Sequence, residues 1–448
     1  MRLAGPLLDS GEIVRSCFNS VVAASRVLIV SYWYPPATGA AAERMHGFAR
    51  YLPASGWDVH VLAPEGDGPP PGDPDVRVTT VADPMGGGVS LMPDFDPRAR
   101  PSRWARRLRD WVFPDRFVHW HTAAVRSGME ILRRERFDLI IASFPPASAV
   151  LAALTLHRRA DVPLVLDFRD IWLGPGGYEP AADRARRRHD ALSRQAVSRA
   201  AALITVSQPM ADALVEGYGY RRDRVFVTSN GFDAADELGD DDRIVRMAGA
   251  VRGGPSTAPF AIAHVGTVIA RNSPEVFFET ISAARRDDRL GNVLFRFVGN
   301  LSAEYVRSLG LGDLVQSTGM VSRRAATVHM HAADALLLLT GDYVGRWGHS
   351  AKLFEYLRTG RPILCLEASP NSNDGALLGE LAAQRSRIVP MSDAAALCEA
   401  VAWLRGLGPR HRSKSGAWAD LSAFDRRVIV ENLARKLDSV FSVDSANP

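Results

Sequence analysis

Lysine is nearly missing from this sequence. Only Lys352, Lys414 and Lys436 stand among 54 basic residues, so a cation is arginine by default. Each lysine is therefore a candidate for a site that wants a compact point charge. Cysteine is as scarce. Cys17, Cys365 and Cys398, an odd number in 448 residues, exclude a disulfide framework and fit a reducing cytoplasm. No apolar run approaches the length of a membrane span. Residues 1–25 contain Asp9 and Glu12 in a broken apolar stretch, a poor signal peptide that reads as an N-terminal extension. A net charge of +4 without a polybasic tail gives little support to nucleic-acid binding. Two phosphate-binding signatures are also absent. Without G-x-G-x-x-G after the first strand a dinucleotide-dependent oxidoreductase is disfavoured, and without G-x-x-x-x-G-K-[ST] a P-loop is excluded.

What is present is the composition of a globular protein, 46% hydrophobic and 23% charged, at a length that suits two domains. Short apolar runs alternate with helical stretches. "RVLIVSYWY" (26–34), "WDVHVLAP" (57–64), "FDLIIASFPP" (137–146), "VPLVLDFRD" (162–170) and "AALITVS" (201–207) form a first series of expected strands. "FAIAHVGTV" (260–268), "VLFRFVGN" (293–300), "ADALLLLTG" (333–341) and "RPILCLEA" (361–368) form a second. Strands alternating with helices imply α/β architecture with parallel sheets, whose ligands bind beyond the carboxyl ends of the strands. The expected units are residues 26–232 and 260–420, two Rossmann-like domains facing each other across a cleft. A linker (233–259), charged and then Gly/Pro/Ser-rich, joins them, and a helix without obvious site residues is expected within 421–448.

The most informative stretch is "GHSAKLFEYLRTGRPIL" (348–364). A spacing of three puts Lys352 and Glu355 on one helical face, with Leu353, Phe354 and Leu357 supplying an apolar one. Gly348-His349-Ser350 leads into the helix N-terminus, where free amides favour an anion. The plain alternative is a surface ion pair. Other marked residues carry alternatives too. Asp94 and Asp96 have D-x-D spacing but sit in a Pro-rich loop, so no metal site is expected. Asn230-Gly231 is a turn or a cleft-lining hinge. Ser207 suits a helix N-cap. Residues 98–113 align Trp104, Leu108 and Trp111 on one helical face among arginines, either to rest on an anionic membrane or to cap the first domain.

Five segments together resemble the GT-B glycosyltransferases of the retaining family 4 type, over residues 26–440. They are "YWYPPATGAAAERMHGFARYL", "SFPPAS" with "DFRDIW", "ITVSQPM" with "VTSNGFD", "HVGTVIARNSPE" and "AKLFEYLRTGRPIL". The resemblance implies an acceptor domain at 26–232 and a donor domain at 260–420. Gly39 to Arg44 would face the donor's phosphates and the acceptor. Arg271, Ser350 and Lys352 would hold the diphosphate, and Glu355 the nucleotide ribose. Asn230, Gly231 and His349 would line the cleft. Preorganised cations would stabilise the charge that grows on the leaving nucleoside diphosphate, with no metal.

The chain departs from the pattern at three places. One glycine, Gly39, stands where relatives often have two. Trp347 occupies the place of the first acid of Glu-x7-Glu, and Arg169 or Asp170 stands where many relatives have a histidine against the sugar. These two remain the catalytic candidates. The implied activity is metal-independent transfer of a sugar from a UDP- or GDP-sugar, without any cofactor, in bacterial surface-polysaccharide or specialised-metabolite synthesis. The acceptor would be a lipid-linked glycan or a small hydroxyl, amine or thiol compound, in the cytoplasm or at the inner face of the membrane. The alternative is a sugar-nucleotide-binding protein that no longer catalyses transfer.

Overall fold

The computed structural model describes residues 25–84, 96–98, 112–172, 182–234, 247, 258–286, 288–407 and 420–441. Residues 1–24, Asp94, residues 99–111 of the arginine-rich stretch and most of the 233–259 linker lie outside them, and with them the expectations placed there.

Strands β1 (Ser25–Val30), β2 (Trp57–Pro64), β3 (Val76–Val81), β4 (Leu139–Phe144), β5 (Leu164–Phe168), β6 (Ala202–Thr205) and β7 (Val225–Val227) form one sheet. Its order is β3-β2-β1-β4-β5-β6-β7, parallel throughout. A second parallel sheet runs β10-β9-β8-β11-β12-β13. It comprises β8 (Phe260–Val265), β9 (Val293–Val298), β10 (Val315–Ser317), β11 (Ala335–Thr340), β12 (Ile363–Glu367) and β13 (Ser386–Pro390). The expected strands are the interior ones. The four not anticipated, β3, β7, β10 and β13, are the sheet edges, which are short or half-exposed and so lack a long apolar run.

Parallel strands need crossovers, which the helices provide. The first sheet carries α1 (Ala40–Tyr51), α2 (Val118–Arg134), α3 (Ala147–Ala160), α4 (Asp183–Arg199) and α5 (Gln208–Tyr218). The second carries α6 (Pro274–Arg286), α7 (Ala303–Ser308), α8 (Arg323–Ala332), α9 (Asp342–Trp347), α10 (Ala351–Thr359), α11 (Asn373–Ala382) and α12 (Ala394–Gly406). Because strand side chains alternate, each interior strand feeds two cores. Leu28, Val30, Ile140, Leu164 and Leu166 enter one, while Val27, Ile29, Leu139, Ile141 and Val165 enter the other. In the second domain Ile262, Leu337 and Leu364 separate in the same way from Ala263, Leu336 and Cys365.

The last helix, α13 (Arg426–Phe441), belongs to the first domain's core. Val430, Leu433, Ala434 and Leu437 pack with Phe48, Leu52 and Trp57. The chain thus crosses between domains twice, and the crossings are stitched together. Phe232 N donates to Phe424 O at 3.1 Å and Arg426 N to Phe232 O at 2.8 Å. Among the described residues no helix is long and apolar enough to cross a membrane. Cys365 and Cys398 are buried and form no disulfide with each other.

Both sheets reverse their order once, between β1 and β4 and between β8 and β11. Such switch points open a crevice at the carboxyl ends of the strands. The loops after β1, β4, β5, β8 and β11 therefore define where a ligand would lie.

Candidate active site

On the first domain, Gly39 directly precedes α1, and Arg44 lies one turn inside it. Arg44 does not reach outward. Its guanidinium is 4% exposed and forks onto Asp167 of β5, Nη2 to Oδ1 at 2.8 Å and Nε to both carboxylate oxygens at 3.1 Å. Its Nη1 donates to Thr228 O at 2.8 Å and Ser229 O at 3.2 Å, and approaches Asn230 Oδ1 at 3.4 Å. Arg44 thereby holds the first interdomain crossing, a different employment from the phosphate contact expected of it. Asn230 belongs to that crossing, as does Gly231, whose carbonyl accepts from Arg426 Nη2 at 3.1 Å. Ala40, Asn230, Gly231 and Ala351 border one small cavity between the domains, so the starts of α1 and α10 face a common space.

Arg169, following β5, also turns inward. Its Nε donates to Ser143 Oγ at 2.8 Å and its Nη2 to Pro145 O. Burial pulls the guanidinium below the usual arginine range, against the opposing influence of Asp170 and Asp167. It braces the loop after β4 rather than projecting toward a sugar.

On the second domain, Lys352 lies in the first turn of α10 and donates from Nζ to Thr267 O at 2.9 Å, in the loop after β8. Burial brings its pKa down to about 8, with Asp374 acting in the opposite sense. The lysine stem occupies the space beside Gly266, where a Cβ would lie 2.4 Å from Lys352 Cε and where φ is +123°. The positive φ calls for glycine there, and a Cβ would in addition displace the lysine stem. Near the ammonium, buried His264 donates from Nδ1 to Leu337 O at 3.0 Å. Burial first, then Lys352, holds its pKa at about 3. The neutral imidazole adds no charge.

Ser350, the residue before α10, gives its amide to Asp374 Oδ1 at 2.9 Å, and His349 Nδ1 stands 3.5 Å from the same oxygen. Asp374 is fully buried and also accepts from Thr340 Oγ1 at 3.1 Å. A carboxylate of the protein therefore already occupies part of the anion-favouring end of α10. Glu355, one turn beyond Lys352, does not depend on it for a partner, since Arg323 Nη2 lies 3.5 Å from Glu355 Oε1. Arg323 also spans the cleft to Glu43 of α1 at 2.9 Å.

Arg271 follows β8 and reaches toward the first domain. Its Nη1 is 3.9 Å from Asp170 Oδ1, and its guanidinium lies 4.5 Å from the centroid of the Tyr343 ring. Tyr343 itself donates to Asp170 Oδ1 at 2.9 Å and accepts from Ile171 N at 2.9 Å. Trp347, at the end of the same helix, packs against Ile171, Val206 and Met210. Its carbonyl accepts from Ser207 Oγ, the hydroxyl that also caps α5 through Met210 N at 3.2 Å. The position expected for an acid is thus an apolar interdomain anchor.

The structure brings Arg271 and Asp170 together across the cleft, sets Lys352 and Glu355 on one helix at the second switch point, and takes Arg44 and Arg169 into the scaffold. Tyr343, Arg323, Glu43 and Asp374 had no sequence signal. Each earns its place from a partner at least 24 residues away. Among the described residues no three His, Cys, Asp or Glu side chains gather as a metal site would require. Asp96 instead pairs with Arg98 at 2.5 Å.

Two parallel-sheet domains with opposed switch points define the GT-B class. Residues 41–236, most of the first domain, match the family model described as Glycosyltransferase Family 4. The whole chain shares its fold with sucrose-phosphate synthase from Thermosynechococcus elongatus. The two are 16% identical with a TM-score of 0.63, over 94% of this chain and 99% of that one. HepE from Anabaena, in complex with UDP, aligns with 92% of this chain and 100% of its own, at 15% identity and a TM-score of 0.60. WaaG, a glycosyltransferase involved in lipopolysaccharide biosynthesis, aligns with 93% of this chain and 99% of its own, at 15% identity and a TM-score of 0.59. No curated protein sequence matches the chain.

Proposed function

We propose that the protein is a retaining glycosyltransferase. It would move a sugar from a UDP- or GDP-sugar to an acceptor, in the making of bacterial surface polysaccharide or a specialised metabolite. The observation that carries this reading is the position of two cations at the second switch point, Lys352 held to Thr267 O in the loop after β8 and Arg271 of that loop 3.9 Å from Asp170 of the first domain. As the bond from the anomeric carbon to the diphosphate breaks, the leaving group gains negative charge. Two cations fixed on the second domain are suited to stabilise it. Glu355, one helical turn from Lys352, suits the vicinal hydroxyls of a ribose. The structural neighbour HepE, known with UDP and with UDP-glucose, supports a uridine nucleotide as the first donor to try.

One observation favours a second reading. Trp347 fills the place of an acid with an apolar contact, and Arg169 is committed to Ser143 and Pro145, as in a site that binds without transferring. Incubation of the protein with UDP-glucose or GDP-mannose and a panel of lipid-linked and small acceptors separates the two. Transfer releases nucleoside diphosphate in step with glycoside, with the anomeric configuration retained by NMR and with EDTA present. Saturable nucleotide binding without release would leave the binding protein. Loss of release on chelation, restored by manganese or magnesium, would overturn the metal-independent mechanism.

A further inference from the structure

We infer that Tyr343 is a positioning residue that sets Asp170 and Arg271 in register across the cleft, so that the site is complete only when the two domains are together. The inference rests on the transfer reading for its catalytic consequence and on the geometry alone for the interdomain tie.

The phenol's hydrogen-bonding capacity fixes its orientation. Its one proton goes to Asp170 Oδ1 at 2.9 Å, and a lone pair receives the Ile171 amide at 2.9 Å. A side chain of the second domain thus holds consecutive residues of the first, 173 and 172 positions away. Burial first, then Asp170, raises the phenol's pKa above the usual tyrosine value, so it remains a donor at any working pH. The ring's face supports the Arg271 guanidinium at 4.5 Å. Arg271 stands 3.9 Å from Asp170, too far for a hydrogen bond, so this carboxylate does not take up its donors.

The helix that presents Tyr343 is fixed at both ends of this relation. Trp347 seats it among Ile171, Val206 and Met210 of the first domain, and Asn373 Nδ2 holds Arg346 O at 3.1 Å on its own domain. Separating the domains would remove Tyr343 from Asp170 and Ile171 in one movement.

Tyr343→Phe tests the inference because it keeps the ring, its packing and the Arg271 contact. In the full-length protein without ligand, hydrogen exchange at the Ile171 amide should accelerate by about tenfold or more, since its acceptor is lost. With UDP-glucose as probe, UDP release should fall by about tenfold while KM stays within about twofold, the loss expected for one hydrogen bond to a charged group. The double variant Tyr343→Phe/Asp170→Ala should be no slower than Asp170→Ala alone, because alanine leaves no acceptor and the phenol acts through that carboxylate. Unchanged exchange at Ile171, or losses that multiply in the double variant, would overturn the inference. The exchange measurement needs no turnover. A parent protein that releases nucleoside diphosphate from neither UDP-glucose nor GDP-mannose with the acceptor panel therefore defeats the transfer reading, while the Ile171 result still decides for or against the tie.

Discussion

Arg44 and Asp167, 123 residues apart, form a buried forked ion pair whose remaining donors hold the carbonyls of Thr228 and Ser229. The pair joins α1, β5 and the interdomain crossing in one contact. Arg44→Ala would leave the Asp167 carboxylate buried without its cation and two carbonyls without donors. The expected loss is about 3–5 kcal/mol of stability, seen as a lowered Tm or urea midpoint. Arg44→Lys should recover little, because an ammonium cannot reproduce the fork. Unchanged stability with lost nucleotide affinity would instead place Arg44 at the ligand.

Lys352 makes nucleotide binding depend on pH. Its folded pKa of about 8 means that it is charged below that pH and progressively neutral above it. A bound diphosphate favours the charged form, so binding should take up a proton around pH 8. Affinity for UDP should then fall by up to about tenfold per pH unit above it. In the free protein the sign is opposite. Between about 8 and 10.5 the unfolded chain holds more protons at this site than the folded one, so the penalty of burying the lysine shrinks as pH rises. Calorimetric titration of UDP in two buffers of different ionisation enthalpy at pH 8 measures the uptake. Equal heats would remove Lys352 from the phosphate site. Lys352→Ala and Arg271→Ala should each cost about 2–4 kcal/mol of transition-state stabilisation with the fold intact.

Glu355 tests the ribose assignment. Glu355→Gln keeps the size but faces one ribose hydroxyl with a donor amide, and UDP affinity should fall about ten- to a hundredfold. A 2′-deoxy or 3′-deoxy nucleotide should then lose less against the variant than against the parent. Equal penalties in both proteins would make Glu355 a partner of Arg323 rather than of the ribose.

Gly341 offers a route to the site that avoids every proposed ligand contact. A Cβ there would lie 1.8 Å from Arg271 O and 2.7 Å from Asn272 Cα, so two switch-point loops touch through backbone. Backbone cannot move aside as a flexible side chain does. Gly341→Ala should cost about 1–3 kcal/mol of stability by overpacking. It should also raise the donor KM by moving Arg271, which kinetics with UDP-glucose would register. A variant with the parent's KM and Tm would show that the Arg271 loop is not set by this contact.

How much was legible follows from burial. Strands such as "LIIASF" and "ALLLLT" are covered on both faces, so their composition alone declares them, and a layout of two parallel-sheet domains follows from their alternation with helices. Edge strands such as "VQS" and "VFV" are held by a neighbour's backbone, and backbone pairing leaves no mark on side-chain pattern. The same distinction runs through the site. Lys352 and Glu355 share one helix, so their spacing was enough to place them side by side. Whether an arginine reaches a ligand or a buried carboxylate is a question of what stands opposite it. Arg44 and Asp167, Tyr343 and Asp170, and Arg323 and Glu43 are each joined only when distant segments fold together. Local sequence fixes periodicity and caps because those depend on residues within a turn or two. The partners of a charged side chain depend on through-space distance, which only the packed sheets and the twice-crossed hinge decide.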